Sequence, residues 1–385
     1  MEDLKKHAGK YRDELLNNII PFWENHSIDR ECGGYFTCLD RFGQVYDADK
    51  FMWLQGREAY FFASIYNKEE KKQSWLDIAL HGADFMERYG RDGNGNWYFS
   101  LTRSGKPITQ AYNIFSDCFA VMAFGELYKA TGNIRHRDIA LETYKNIISR
   151  KENPKGKYSK SYPETRMLKN FSLPMILSNI SLIMEDLLEP GEVEKSVKLI
   201  VDEIMKVFYQ KDSGLILENV MPDGSFCDCF EGRLVNPGHA IESMWFMMDI
   251  GIRFNNKELI EQAVQITLNT LNYGWDKEYG GIFYFMDYKG YPPQQLEWDQ
   301  KLWWVHIETL IALAKAYKLT GNEECSRWFE IVHDYTWKHF KDTEYPEWFG
   351  YLNRQGEVLL NLKGGKWKGC FHIPRGLYQI WKTLE

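Results

Sequence analysis

Gly33-Gly34-Tyr35-Phe36, closed by Gly43, begins a pattern that recurs along the chain: a glycine, a short segment with strand character, and a second glycine. The leading glycines recur about every sixty residues, at Gly33, Gly95, Gly156, Gly214, Gly280 and Gly350, and the copy at Gly156 is degenerate. Hairpin-like segments at a regular period predict one repeat architecture rather than a string of separate domains.

The segments between these glycines have helical periodicity. Apolar residues recur at helical spacing over residues 53–66, 115–128, 240–254, 302–317 and 327–340. The sequence therefore predicts an all-α fold: a closed (α/α)6 barrel of six helix pairs with short β-hairpins at one end, forming a single domain of residues 1–385. The alternative is an open solenoid, which needs polar caps at its ends. The last repeat, with Phe371 and Trp381, is no more polar than the others.

Composition excludes several classes of protein. The chain is 44% hydrophobic and 16% aromatic, which allows a large core, and its net charge of −7 gives no reason to expect nucleic acid or an anionic membrane as a partner. There is no run of eighteen apolar residues and no apolar segment at the N-terminus. We therefore expect a cytoplasmic protein.

The cysteines and histidines predict neither a disulfide framework nor a metal centre. The seven cysteines have no spacing typical of paired thiols, so we expect free thiols in a reducing compartment. Cys227-Asp228-Cys229 is too closely spaced for a zinc pair and has no second pair. There is also no dinucleotide fingerprint, so we expect no metal and no redox cofactor.

The repeat predicts where a functional site lies. In a ring of helix pairs the hairpins gather at one end, and residues a fixed distance after each hairpin glycine should meet there. Six polar residues occupy that phase: Arg57, Asp117, Asn179, His239, Glu308 and His372. A polar lining at one level of an apolar barrel is typical of a pocket. The alternative is that the phase is loose enough to have selected any polar residue.

Two local patterns strengthen the pocket hypothesis. His239 and Glu242 share one face at the start of a helix, where the helix dipole would keep the imidazole neutral and able to exchange a proton near pH 7. Trp303 precedes Glu308 on another predicted helix, and an aromatic face with nearby carboxylates suits a sugar. His306 is interpreted as structural, because its position on that helix points elsewhere.

A glycine- and lysine-rich segment covers residues 363–369 and leads to His372. Its composition predicts a mobile basic loop that either holds a phosphate or is merely solvated. It does not match the P-loop pattern.

These motifs together resemble the N-acylglucosamine 2-epimerase family over the whole chain. The similar segments are residues 52–57, Asn236-Pro237-Gly238-His239 with Glu242, residues 296–308 and residues 363–375. The resemblance implies an (α/α)6 barrel, usually a homodimer, that interconverts N-acyl-D-glucosamine and N-acyl-D-mannosamine. Cellobiose 2-epimerases, a related branch, carry an extra histidine where this chain reads Leu173-Pro174-Met175-Ile176.

The resemblance also implies roles for particular residues. His239 and His372 would move protons at C2 of the open-chain sugar, and Arg57 would stabilise the enediolate. Glu242 and Glu308 would hold hydroxyls or orient a histidine, Trp303 and Trp367 would face the sugar, and we add Asp117 as a binding residue from its phase. Enzymes of this type commonly need ATP or another nucleotide that is not consumed, for which residues 151–160 and 363–368 are the candidate contacts.

Three other functions remain open on the sequence. An inverting glycosidase would use two carboxylates, such as Asp117 with Glu242 or Glu308. A mannose-type aldose–ketose isomerase would share the enediolate but return the proton to C1. A non-catalytic sugar-binding or regulatory protein would not need the two histidines at all.

Overall fold

Helices occupy almost every segment for which the sequence predicts them in the computed structural model, which describes residues 2–160, 162 and 164–385. In chain order they are α1 Glu2–Lys5, α2 Ala8–Glu14, α3 Ile20–His26, α4 Met52–Lys68, α5 Gln73–Tyr89, α6 Phe115–Thr131, α7 Ile134–Arg150, α8 Ser172–Ile183, α9 Pro190–Glu203, α10 Pro237–Arg253, α11 Lys257–Gly274, α12 Trp303–Thr320, α13 Glu323–His339 and α14 His372–Leu384. A π-helical turn joins α2 to α3, and a second one extends α9.

The helices form two concentric rings. Helices α4, α6, α8, α10, α12 and α14 are buried on nearly every face, and each packs against the next in that order. The other long helices, α5, α7, α9, α11 and α13, alternate with them along the chain and bury a single apolar stripe. This alternation of all-apolar inner and amphipathic outer helices is what a barrel of helix pairs requires. No helix among the described residues is both long and apolar enough to span a bilayer.

Short antiparallel strands connect successive repeats at one end of the barrel. They are β1 Cys38–Leu39, β2 Val45–Asp47, β3 Lys50–Phe51, β4 Ser100–Leu101, β5 Pro107–Thr109, β6 Lys169–Asn170, β7 Tyr209–Gln210, β8 Leu215–Ile216, β9 Asn219–Val220, β10 Leu234–Val235, β11 Met286–Asp287, β12 Lys301–Leu302 and β13 Tyr351–Leu352. Strands β3, β10 and β12 lead directly into inner helices, so the N-termini of these helices lie beside the hairpins.

The hairpin glycines are needed for their backbone conformation. Gly43 has φ 80° and Gly105 has φ 87°, in the region that side chains disfavour. A Cβ at Gly43 would lie 2.4 Å from Nδ1 of His26, and one at Gly105 would lie 2.4 Å from the ring of Tyr89. These two hairpins thus pack directly on the ends of α3 and α5. The degenerate copy at Gly156 differs, because it forms a single 3₁₀ turn.

Three repeats share a buried ionic staple that joins one hairpin to the next. In each, an aspartate accepts from a buried lysine of its own repeat and from an arginine of a neighbouring hairpin. The sets are Asp29–Lys50–Arg103, Asp276–Lys301–Arg354 and Asp342–Lys363–Arg41, with N···O distances of 2.7–3.1 Å. The lysine and arginine of each set also lie over one phenylalanine ring, that of Phe36, Phe283 or Phe349.

The third staple closes the ring, because Arg41 belongs to the first hairpin and Asp342 to the last repeat. Their two hydrogen bonds measure 2.7 and 2.8 Å. Trp23 donates to Glu347 at 2.7 Å across the same junction, and α2 packs on α14. The chain therefore forms a closed barrel, as the sequence predicts, and not an open solenoid. Its seven cysteines are all free.

Candidate active site at the hairpin end of the barrel

Ionisable side chains converge where the inner helices begin. Arg57 lies in the second turn of α4, Glu308 in the second turn of α12, and His239 in the first turn of α10. The side chain of Asn236 caps α10 by accepting from the backbone N–H of His239 at 3.1 Å, and Pro237 suits the first helical position. His372 is the first residue of α14. Strand, cap and helix start therefore fix each side chain at the same level of the barrel.

His372 is oriented by Glu308. Its Nδ1 lies 2.7 Å from Oε1 of Glu308, and the other carboxylate oxygen accepts from Trp245 at 2.9 Å. A proton on Nδ1 satisfies the carboxylate and leaves the lone pair on Nε2. Burial lowers the pKa of His372 well below its ordinary value, and the charge of Arg57 lowers it further. The lowered pKa favours a neutral imidazole for His372, with the lone pair on Nε2.

The surroundings of His239 favour its protonated form, in contrast to those of His372. Its Nδ1 lies 3.1 Å from both carboxylate oxygens of Glu218, which also accepts from Ser172 at 2.8 Å. Burial lowers the pKa of His239, but the charge and hydrogen bond of Glu218 outweigh this and raise it above the ordinary value. Glu218 therefore favours the imidazolium of His239, which is the opposite of the effect predicted from the helix dipole.

The two histidines share one aromatic neighbour. The ring of Trp304 lies 5.3 Å from that of His239 and 5.7 Å from that of His372, centroid to centroid. The charge of His239 also contributes to lowering the pKa of His372. The structure thus brings together two imidazoles, one favouring its proton and one favouring its lone pair.

Arg375 lies between the carboxylates of this cluster. One of its nitrogens, Nη2, donates to Glu242 and to Glu308, each at 2.6 Å. Glu242, Glu308 and His372 place their ligand atoms within 4.8 Å of one another, a spacing that would also suit a metal ion. In this chain the guanidinium supplies the positive charge between the two carboxylates. Its Nε and Nη1 are buried with no partner among the described residues.

Arg57 is a buried cation without an ionic partner among the described residues. Its guanidinium lies 4.3 Å from the ring centroid of Trp53 and 4.2 Å from that of Phe119. Burial lowers its pKa to about 9, against the charge of Glu242, which raises it. A desolvated guanidinium of this kind is well suited to bind an oxyanion.

The two predicted tryptophans lie at different depths. Trp303 is 3% exposed, its ring contacts those of Tyr351 and His372, and its Nε1 has no described partner. Trp367 is 48% exposed and packs edge-on against Trp53, at the rim of the cluster.

Two residues of the predicted phase do not join the cluster. Asp117 hydrogen-bonds at 2.5 Å to Arg150, at the end of outer helix α7. Burial raises its pKa to about 7, and Arg150 lowers it. Asp117 thus makes no hydrogen bond to the cluster among the described residues, and it is Phe119 that contacts Arg57 from α6. Asn179 makes no hydrogen bond to the cluster within the described part of the chain.

The lysine-rich loop is not a mobile basic surface. Lys363 is 0% exposed and bonds to Asp342 at 2.8 Å, while Lys368 is 2% exposed and bonds to Glu347 at 2.9 Å. That part of the prediction is wrong, because the two lysines hold the loop that precedes His372. His306 fits its structural interpretation: its Nδ1 donates to the carbonyl of Leu302 and its Nε2 accepts from Ile282.

Sequence reasoning missed three residues of the cluster. Glu218 precedes strand β9 and so does not lie at the fixed distance from a hairpin glycine that the other residues share. Arg375 is three residues after His372 on α14, a spacing that puts both on one face and could have identified it. Trp304 is adjacent to Trp303 in the sequence, and only Trp303 was predicted to face the sugar.

Comparisons with known proteins show the family. Residues 34–374 match the family described as N-acylglucosamine 2-epimerase (GlcNAc 2-epimerase). The N-acylglucosamine 2-epimerase of Bos taurus is 39% identical to this chain, over all of this chain and 94% of its own length.

Solved structures show the same fold at lower identity. The cellobiose 2-epimerase of Bacillus thermoamylovorans B4167 has a TM-score of 0.84 at 21% identity, covering 98% of this chain and 99% of its own. A D-mannose isomerase has a TM-score of 0.81 at 18% identity, covering 100% of this chain and 98% of its own. These two likenesses concern the barrel alone.

Proposed function

The chain belongs to the N-acylglucosamine 2-epimerase family, and from this membership and the site geometry we propose that it interconverts N-acyl-D-glucosamine and N-acyl-D-mannosamine. The substrate is the open-chain aldehyde, in which the carbonyl at C1 acidifies the proton on C2. Inversion removes that proton from one face and delivers another to the opposite face. The observation that carries the proposal is the pair of imidazoles with opposite protonation preferences around Trp304.

His372 is the base for one direction of the reaction. Its Nε2 carries the free lone pair because Nδ1 is held by Glu308 at 2.7 Å. Glu308 also stabilises the imidazolium that forms when the C2 proton is taken. Since Arg375 neutralises part of the charge of Glu308, His372 remains neutral until the proton arrives.

His239 is the acid for the same direction. Glu218 holds its Nδ1 and favours the imidazolium, so that Nε2 has a proton to give. After one turnover His239 is neutral and His372 is protonated, which is the state needed for the reverse reaction. The pair therefore carries one shared proton in both directions, and Glu218 and Glu308 act as matched orienting groups.

The enediolate between the two proton transfers is stabilised by guanidinium groups. Arg57 has no anion in contact among the described residues, and Arg375 has two N–H-bearing nitrogens without a described partner. Preorganised donors in a buried site stabilise a developing oxyanion more strongly than water does. The buried Nε1 of Trp303 and the rings of Trp303 and Trp304 provide a surface for the sugar chain.

Product identification tests the proposal. The purified protein, incubated with N-acetyl-D-mannosamine, is expected to produce N-acetyl-D-glucosamine until both epimers are at equilibrium, as read by proton NMR. A ketose product would instead indicate an aldose–ketose isomerase, and release of a reducing sugar from a glycoside would indicate a glycosidase. An unchanged sugar would favour the non-catalytic alternative.

The carboxylate arrangement argues against the glycosidase alternative. Asp117 is paired with Arg150, while Glu242 and Glu308 share Arg375. An inverting glycosidase needs one carboxyl group to protonate the leaving group and another to activate water. In this site the carboxylates hold Arg375 and His372 instead.

We also propose a nucleotide such as ATP as an activator that is not consumed, as the family resemblance implies. Exposed lysines at positions 155, 157 and 160 support a contact with phosphates there, whereas Lys363 and Lys368 are buried in ion pairs. Lys157→Ala is expected to raise the ATP concentration needed for half-maximal activation, and Lys366→Ala, in the other loop, to leave it unchanged.

Assembly and location follow the same family expectation. We propose a cytoplasmic homodimer that acts on small amino sugars. Seven free cysteines suit a reducing compartment. Light scattering coupled to size-exclusion chromatography tests the dimer: a mass near 45.5 kDa, that of one chain, would contradict it.

A further inference from the structure

Two thiols lie in contact on the loop that leads from β9 to β10. The Sγ atoms of Cys227 and Cys229 are 3.5 Å apart, and both residues are partly exposed. Neither belongs to the site described above. From this contact we propose that Cys227 and Cys229 form a thiol–disulfide exchange site, which a small-molecule disulfide oxidises to a reversible intraloop disulfide.

The loop holds the two sulfurs on the same side. Between them, Asp228 is bound by Arg233 at 2.9 Å and by Lys289 at 2.5 Å. The backbone N–H of Cys229 donates to the carbonyl of Cys227 at 2.8 Å, which forms a tight turn. A disulfide needs an S–S distance of about 2.05 Å, so the sulfurs have only a short distance to move.

The hydrogen bonds distinguish the two thiols. Cys229 Sγ lies 3.4 Å from the donating N–H of Gly232 and is also within reach of the Cys227 thiol. A thiolate on Cys229 would accept both of these hydrogen bonds. The hydrogen bond with Cys229 raises the pKa of Cys227, which therefore keeps its proton longer. These contacts make Cys229 the attacking sulfur and Cys227 the resolving one.

The exchange proceeds in two steps. The Cys229 thiolate attacks one sulfur of the external disulfide, breaks its S–S bond and releases one thiolate. The Cys227 thiol then loses its proton to solvent and attacks Cys229 Sγ, which releases the second thiolate. The protein dithiol is oxidised by two electrons, and one small-molecule disulfide is reduced to two thiols.

The loop is connected to the acid–base pair. The carbonyl of Glu231 accepts from Asn219 at 2.9 Å, and the carbonyl of Leu234 accepts from the N–H of Glu218 at 2.9 Å. A disulfide withdraws Cys229 Sγ from Gly232, in the segment that holds Glu218. Because Glu218 orients His239, we expect oxidation to lower kcat/KM about two- to tenfold. This consequence rests on the proposed function, whereas the chemical modification does not.

Peptide mapping tests the modification. Trypsin releases residues 212–233 as one peptide that contains only these two cysteines. The native protein is treated with excess oxidised glutathione, blocked with N-ethylmaleimide and digested. We expect this peptide to be two hydrogens lighter than the dithiol, free of both reagents, and restored by dithiothreitol. Recovery with two maleimides or with two glutathiones would overturn the proposal.

Variants separate the modification from its effect on activity. Cys227→Ser is expected to retain glutathione on Cys229, because the resolving thiol is gone. The double variant C227S/C229S should keep full activity after the same treatment. An oxidised enzyme with undiminished kcat/KM would overturn the connection to Glu218 while the disulfide stands. A reduced protein that does not epimerise amino sugars would instead overturn the proposed function.

Discussion

Arg41, in the first hairpin of the chain, forms a two-pronged ion pair with Asp342, which follows the last outer helix, at 2.7 and 2.8 Å. The side chain of Asp342 is 1% exposed and also binds the buried ammonium of Lys363. One carboxylate thus joins the two ends of the barrel and supports the loop that precedes His372.

Removing this carboxylate should destabilise the protein strongly. In Asp342→Asn two cations lose their counter-charge, and breaking a buried pair in this way costs about 3 kcal/mol. Urea denaturation should show that loss. The matched control is Arg12→Ala, in a pair whose partners are 48% and 58% exposed, and we expect it to change stability by less than about 0.5 kcal/mol. Equal effects of the two substitutions would contradict a special role for the junction.

Glu218→Gln should move the alkaline limb of the pH profile. Glu218 raises the pKa of His239, so its removal lowers that pKa and depletes the imidazolium as the pH rises. We expect the alkaline limb of kcat/KM to shift to lower pH. Ser172→Ala removes a hydrogen bond to Glu218 but keeps its charge, so its profile should remain close to that of the unmodified protein. If both variants shift the limb equally, charge is not the cause.

Arg57 should be hard to replace even by lysine. Its guanidinium has no anionic contact among the described residues and lies between aromatic rings. Arg57→Ala is expected to reduce kcat by about 10²–10³-fold, the usual cost of losing an oxyanion donor. Arg57→Lys retains the charge but loses the planar fork, so it should fall between alanine and the unmodified protein. An activity of R57K at or below that of R57A would show that charge contributes nothing.

Asp117→Asn should leave catalysis almost unaffected. Asp117 pairs with Arg150 at 2.5 Å and makes no hydrogen bond to either histidine among the described residues. We expect kcat/KM within about threefold of the original value and a measurable loss of stability, because Arg150 loses a buried partner. If Asp117→Asn lost as much activity as Glu308→Gln, with unchanged stability, Asp117 would be a substrate-binding residue after all.

The glycine period predicted the barrel because hairpin backbone conformations demand glycine locally. Gly43 and Gly105 have positive φ because of the local hairpin conformation, whatever other segments pack against them. A short stretch of sequence is therefore enough to identify each hairpin. The closure between Arg41 and Asp342 could only be inferred indirectly, from the missing polar cap. The pairing itself joins residues at opposite ends of the chain.

The repeat spacing identified the candidate residues that follow each hairpin at a fixed distance. It could not identify the residues that act on them from other parts of the chain. The distance from each hairpin glycine placed His239, Glu308 and His372 at one level of the barrel. The protonation of His239 depends on Glu218, which lies in a hairpin and follows no helical rule. Likewise Lys363 reads as a surface lysine until Asp342 is placed beside it. Composition could not distinguish the two environments.

The two-histidine mechanism is tested most directly by measuring proton exchange at C2. The exchange is followed by NMR in D₂O with the single variants His239→Ala and His372→Ala. Each variant should lose epimerisation by about 10²–10⁴-fold while circular dichroism shows an intact helical fold. Each should still exchange the C2 proton of one epimer for deuterium, and the two variants should exchange opposite epimers. Exchange of both epimers by either variant, or epimerisation above about a tenth of the original rate in both, would contradict a base on each face of the sugar.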